Sequence, residues 1–208
     1  MTRASYDIVA ADYARLLPDA HDGRPLDAAI MRAFAELTDG PVVDIGCGTG
    51  RITHHLHELG LDASGIDLSD GMLDQARRLY PHLTFTQGDM TDLDLEDESV
   101  GGAVVWYSTV HMPATEVPWR EFHRVLRPGG HLLHAFKLGD QQKPLTHAYG
   151  HDVDLTVHWH DMDETAGNAT EAGFNEVARL QRQRGVGEGG PQAFLLLGKR
   201  NPGAGSAS

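Results

Sequence analysis

Short apolar runs that close on an acid or a polar turn alternate along this chain with stretches of helical periodicity. Val42 to Ile45 is one such run, and it leads through Gly46-Cys47-Gly48-Thr49-Gly50-Arg51 into a helical pattern. Ala63 to Asp67 is a second run ending in an acid. Ser69 and Asp70 then open a helix with Leu73, Ala76 and Leu79 on one face. Leu83 to Gln87 alternates as a strand and is followed by Gly88-Asp89-Met90. Ser99 to Trp106 reads as a glycine-interrupted strand and Trp119 to Leu126 as a helix, stopped by Arg127-Pro128-Gly129-Gly130. His131 to Phe136 is the next strand. Phe174 to Leu180 and Gln192 to Gly198 are late strands joined by a glycine-rich connection, and Ser5 to Arg15 near the start is helical.

Strands alternating with helices predict an α/β chain, with a mostly parallel sheet covered by helices on both faces. Runs that are apolar throughout suit parallel strands buried on both sides. A length of 208 residues fits a single domain over 1–200, with a helical leader over 1–40. Residues 201–208, rich in Gly, Ala and Ser, read as a mobile tail.

The glycine loop narrows the chemistry. In an open α/β sheet such a turn lies at the carboxyl end of its strand, where ligands bind, and glycine lets the backbone approach them closely. Loops that hold a pyrophosphate space their glycines as G-x-G-x-x-G, but here Arg51 stands at the position of the last one. Arg51-Ile52 also lacks the Lys-Ser or Lys-Thr pair of a phosphate-cradling loop. The D-x-G-x-G-x-G form of Asp44 to Gly50 resembles motif I of the class I S-adenosylmethionine-dependent methyltransferases. The turn Leu126-Arg127-Pro128-Gly129-Gly130 adds to that resemblance, which covers roughly Pro41 to Arg200.

The resemblance implies a Rossmann-like, doubly wound, mostly parallel seven-stranded sheet with one antiparallel strand. It implies S-adenosyl-L-methionine as cofactor, held by Asp44, Gly46, Cys47, Gly48 and Gly50 in the first loop. Asp67, about 20 residues beyond the first glycine, stands where an acid accepts hydrogen bonds from ribose hydroxyls. Leu68 and Met72 are then expected near the adenine ring, and Asp89 with Met90 at its amino group. Tyr107 is placed at the fourth strand end, and Tyr13 on a leader that folds over the cofactor as a lid. Packing of that leader on the core explains the same pattern without a lid.

Methyl transfer from a sulfonium needs positioning above all, and a base only when the acceptor loses a proton. After the fourth strand this chain reads Tyr107-Ser108-Thr109-Val110, not the N/D-P-P-Y/F element of enzymes that methylate amides or nucleobase amines. His111, just beyond, is the candidate base or acceptor contact. The stretch 137–160 is longer than a simple connection and is expected to line the acceptor pocket or a subunit contact, a homodimer being compatible with it. His147, His151, His158 and His160 crowd this stretch, but proximity in sequence is not convergence, and no metal is assigned. His54, His55 and His57 read as solvated or packed.

Composition bounds the partners. A net charge of -13 disfavours a nucleic-acid backbone, whose binding rests on Lys and Arg. The absence of a long apolar span or a leading apolar segment predicts a soluble, cytoplasmic protein with no membrane partner. The one cysteine, Cys47, excludes an intrachain disulfide framework. The reading is therefore a methyltransferase for a small-molecule hydroxyl, amine or carboxylate. Two alternatives stay open: an NAD(P)-dependent oxidoreductase on a doubly wound sheet, and a non-catalytic S-adenosylmethionine-binding protein.

Overall fold

The computed structural model describes residues 2–16 and 24–200; the tail expected at 201–208 lies outside them. Helices α1 (Thr2–Leu16) and α2 (Pro25–Leu37) precede β1 (Pro41–Ile45), α3 (Arg51–Glu58), β2 (Asp62–Asp67), α4 (Asp70–Leu79) and β3 (Thr84–Gln87). Then come β4 (Val100–Trp106), a short 3-10 turn, α5 (Trp119–Val125), β5 (Leu126–Lys137), β6 (Gln142–Ala148) and β7 (His151–His158). The chain closes with α6 (Met162–Glu171), β8 (Phe174–Arg182) and β9 (Gln192–Lys199).

Seven strands form one sheet in the order β3-β2-β1-β4-β5-β9-β8. The pairs from β3 through β5 are parallel, and β9 runs antiparallel to both β5 and β8. The chain winds outward from β1 to β3 and then returns to β4 on the other side. The reversal leaves a crevice beyond the carboxyl ends of β1 and β4, where open α/β sheets take ligands.

The apolar runs are continuous because each strand is covered twice. On β1, Val42 packs with Phe34 of α2 and Leu56 of α3, while Val43 faces the core that includes Phe122 of α5. Val104 and Val105 of β4 divide between the same two cores. The alternation of side chains along a strand produces this division.

The turn at Arg127-Pro128-Gly129-Gly130 differs from the expected stop. Helix α5 ends at Val125, and Leu126 already pairs with Val100 as the first residue of β5. The Pro-Gly-Gly stretch is absorbed as an irregularity, and pairing resumes at Gly102↔His131. Close packing accounts for it: a Cβ at Gly101 would lie 1.7 Å from the Asp39 carbonyl oxygen.

The long stretch 137–160 contains a separate two-stranded hairpin of β6 and β7. Tyr149 and Gly150 turn it with φ of 53° and 86°, as a two-residue hairpin turn of the primed type requires. Val153 and Leu155 of β7 pack against Val9 and Ala10 of α1, together with Met72 of α4. The hairpin therefore backs the leader helix. On its other side, Asp7 accepts from Ser69 Oγ at 2.6 Å and from the Gly71 N–H at 3.0 Å, and Arg3 pairs with Asp70. Ser69 is also the cap of α4, accepting from the Met72 N–H.

Helix α2 is clamped to the far edge of the sheet. Arg182 pairs through two nitrogens with Asp27, and through two with Glu188. No described helix is long and apolar enough to cross a membrane.

Candidate functional site

The glycine loop is a left-handed path with bonded walls. Gly46, Gly48 and Gly50 have φ of +74°, +55° and +81°, so their spacing answers a backbone demand. A Cβ at Gly46 would fall 2.2 Å from that of Ser108, whereas at Gly48 it would meet nothing within 4 Å. Gly48 thus leaves its space open toward the crevice. The N–H groups of Gly46 and Cys47 both donate to the Ile66 carbonyl, fastening the loop to the end of β2. Ser108 Oγ donates to the Ile45 carbonyl at 2.7 Å and fastens it to the end of β4.

The acids have three different settings. Asp44 is buried, and one of its oxygens accepts from Thr53 Oγ1 at 2.7 Å. Its other oxygen has no partner among the described residues, and burial raises its pKa to about 7. Asp67 accepts from the Gly48 N–H at 2.8 Å and from the Ser69 N–H at 2.9 Å, joining the loop to the β2–α4 turn. Burial nevertheless pushes its pKa upward. Asp89 is exposed and caps its own turn, accepting from the N–H and hydroxyl of Thr91.

A cavity of about 350 Å³ opens at this point. Gly46, Gly48, Asp67, Leu68, Met72, Asp89 and Met90 line one part of it. Tyr6, Tyr13, Trp106, Tyr107, His111 and Met112 line the other. These include most of the residues expected from sequence. Asp44, Cys47 and Gly50 lie beneath the surface: Cys47 turns its side chain into a cluster with Leu73, Ala76 and Phe85. Its thiol is pushed well up in pKa by burial, which keeps it a neutral packing group.

The aromatic end holds His111 between two partners. Its Nδ1 is 2.8 Å from the Thr156 carbonyl of β7, and its Nε2 is 2.7 Å from the Tyr6 hydroxyl of α1. Burial lowers the pKa of the ring and raises that of Tyr6. The loop that carries His111 is fixed elsewhere as well: Thr109 Oγ1 meets buried His134 at 2.8 Å, and His160 Nε2 donates to the Met112 carbonyl. Tyr107 has φ of 56°, and its hydroxyl is buried with no partner among the described residues.

The crowded histidines disperse. His147 meets Asp152, His151 meets Asp12 of α1, and His160 is buried against the loop after β4. Of the first-helix group, His54 stacks on Tyr80 at 4.4 Å.

Several site residues escaped the sequence pattern. Thr53 holds Asp44, Ser108 interlocks with Gly46, and Arg51 lines the cavity next to the glycines. Arg51 stands directly after the loop, and that position was its signal. Tyr6 lies seven residues before Tyr13 in the leader pattern, a spacing that places both on one helix face, whereas Trp106 gave no signal beyond aromatic character.

Residues 42–130 match the family model of a methyltransferase domain. That match spans less than half of the chain, and the sheet order with the glycine loop gives the chain the Rossmann-like fold of class I methyltransferases. It is 38% identical over 97 residues to a malonyl-[acyl-carrier protein] O-methyltransferase of Yersinia pestis, covering 44% of this chain and 34% of that protein. A demethylmenaquinone methyltransferase of Beutenbergia cavernae is 33% identical over 92 residues, covering 44% of this chain and 38% of that protein. The chain thus spans little more than a third of the length of these curated relatives. Among solved structures it is similar to the magnesium protoporphyrin IX methyltransferase of Synechocystis PCC 6803, with a TM-score of 0.73, 15% identity and coverage of 95% of each chain.

Proposed function

We propose that this protein transfers a methyl group from S-adenosylmethionine to a small-molecule acceptor. The single observation that carries the reading is the cavity beyond β1 and β4, with an open glycine wall, Asp67 and Asp89 in its lining, and aromatic side chains completing it. The residues fit such a cofactor. Gly48 leaves room for a ligand against the backbone, and the unpartnered oxygen of Asp44 is an acceptor with no protein donor among the described residues. Asp67, although bonded to two N–H groups, keeps lone pairs for ribose hydroxyls. Leu68, Met72 and Met90 offer apolar contacts for a base, with Asp89 at the rim. Arg51, not glycine, beside the loop favours this cofactor over NAD.

When bound, S-adenosylmethionine supplies a methyl group already activated by its sulfonium. The protein then has to hold the acceptor in line and exclude water. Tyr13, Trp106, Tyr107 and Met112 form the apolar walls that do so, while α1 covers the cavity as a lid backed by the hairpin. His111 is the group at the acceptor end able to take a proton.

Titration calorimetry tests the reading, with S-adenosylmethionine, S-adenosylhomocysteine and NAD as ligands. Saturable binding of the first two is expected, with release of S-adenosylhomocysteine in a metabolite screen. Binding of NAD alone would overturn it.

A further inference from the structure

The Thr156 carbonyl can only accept, so the 2.8 Å contact puts a proton on His111 Nδ1. In the neutral ring Nε2 is then a lone pair, and the Tyr6 hydroxyl at 2.7 Å donates to it. Both residues line the cavity, and their rings meet edge-on with centroids 5.4 Å apart. Tyr6 therefore stands with its proton committed to His111 and its oxygen lone pairs available to a ligand. Around the pair the wall is aromatic, with Tyr13 edge-on to Tyr6 at 6.3 Å, and with Trp106 and Tyr107 edge-on to each other, so that ring faces and edges are both offered to a planar ligand.

We propose that Tyr6 and His111 are a proton relay for a planar acceptor bearing an ionisable hydroxyl, such as a phenol, and that Tyr6 is the residue that touches it. This rests on the methyltransferase reading and names its acceptor class. As the acceptor oxygen bonds to the methyl carbon, the carbon–sulfur bond breaks and its electron pair stays on sulfur. The acceptor O–H proton passes to the Tyr6 oxygen while the Tyr6 proton passes to His111 Nε2. The positive charge lost from sulfonium reappears on the imidazolium, and atoms and charge balance. Tyr6 ends as a neutral phenol, in keeping with surroundings that disfavour its anion, first by burial and then through Tyr13, Tyr149 and Asp67. Burial first, and then the positive charges of His158 and Lys137, keep the His111 ring neutral before the transfer, against the Thr156 hydrogen bond, which favours the charged form.

The test uses 4-nitrophenol, whose phenolate band reports its own ionisation, and the full chain saturated with S-adenosylhomocysteine. The buffer is set where the free probe is mostly un-ionised. Bound probe is expected to show its ionised fraction raised about tenfold, one unit of effective pKa shift. Tyr6→Phe keeps the ring and is expected to abolish the increase, as is His111→Ala. The tautomer is read independently from the imidazole nitrogen resonances, with Nδ1 protonated and Nε2 bare. Three results would overturn the relay: no probe binding to the saturated protein, an undiminished phenolate band in Tyr6→Phe, or the opposite tautomer. Failure of S-adenosylhomocysteine to bind at all would instead strike the methyltransferase reading.

Discussion

Oδ2 of Asp67 accepts the backbone N–H of Gly48 at 2.8 Å, so the end of β2 and the loop after β1 are one bonded unit. The same carboxyl holds the Ser69 N–H at the start of α4. Replacing Asp67 by Ala is expected to weaken S-adenosylmethionine binding by about 1–3 kcal/mol, the scale of a hydrogen bond to a charged group. Calorimetry on the folded variant decides it, and unchanged affinity would remove Asp67 from the ribose site.

Asp44 links stability to pH in a direction opposite to most carboxylates. Its folded pKa is raised from 3.8 to about 7, first by burial. The stability tied to its protonated form is full below pH 3.8 and is lost as pH rises through about 7. Asp44→Asn is expected to stabilise the ligand-free protein at pH 8 by on the order of 1–3 kcal/mol, while weakening cofactor binding. Urea unfolding of both proteins across this range checks it; parallel curves would contradict the assignment.

The clamp on α2 is expected to be the most sensitive polar contact. Asp27 is 1% exposed and its partner side chain Arg182 is 10% exposed. Arg182→Met leaves the Asp27 carboxylate buried without its cation, at a cost of about 3–5 kcal/mol. Adding Asp27→Leu should recover much of that loss. A denaturation midpoint unmoved by the single change would show that the clamp contributes nothing.

Glu188 makes the same clamp acid-sensitive. Its pKa is lowered from 4.5 to about 2, first by the hydrogen bonds from Arg182. The contribution is complete above pH 4.5 and disappears as pH falls toward 2. Glu188→Gln should therefore narrow the stability difference between pH 5 and pH 2.5, measured by thermal unfolding.

Asp7 anchors α1 on the first turn of α4 through Ser69 and Gly71. Asp7→Ala is expected to cost about 0.5–1 kcal/mol, the range for an anion at a helix start. Its clearer sign is faster amide exchange throughout α1 and at Gly71, with the rest of α4 unaffected.

Much of the site was legible because its residues end strands. Val42–Ile45 and Ala63–Asp67 are short buried-strand runs, and each carries an acid, Asp44 and Asp67, at or next to its carboxyl end, where the open sheet takes ligands. The hairpin β6–β7 was not legible, since β6 is mostly exposed and only Val153 and Leu155 are buried in β7. Nor does local pattern carry the pairing of Tyr6 with His111, which are 105 residues apart. Asp44 shows a third kind of failure: its place in the loop was evident, but its burial beneath Thr53 depends on where α3 packs.

The contact between Gly46 and Ser108 has a consequence for how such a site can change. A side chain at position 46 would need the volume that Ser108 fills, and a larger residue at 108 would press into the same gap. The two loops meet like gear teeth at the point where the sheet reverses its order. Neither can be re-cut alone, so any redesign of the cavity floor has to alter both positions in one step.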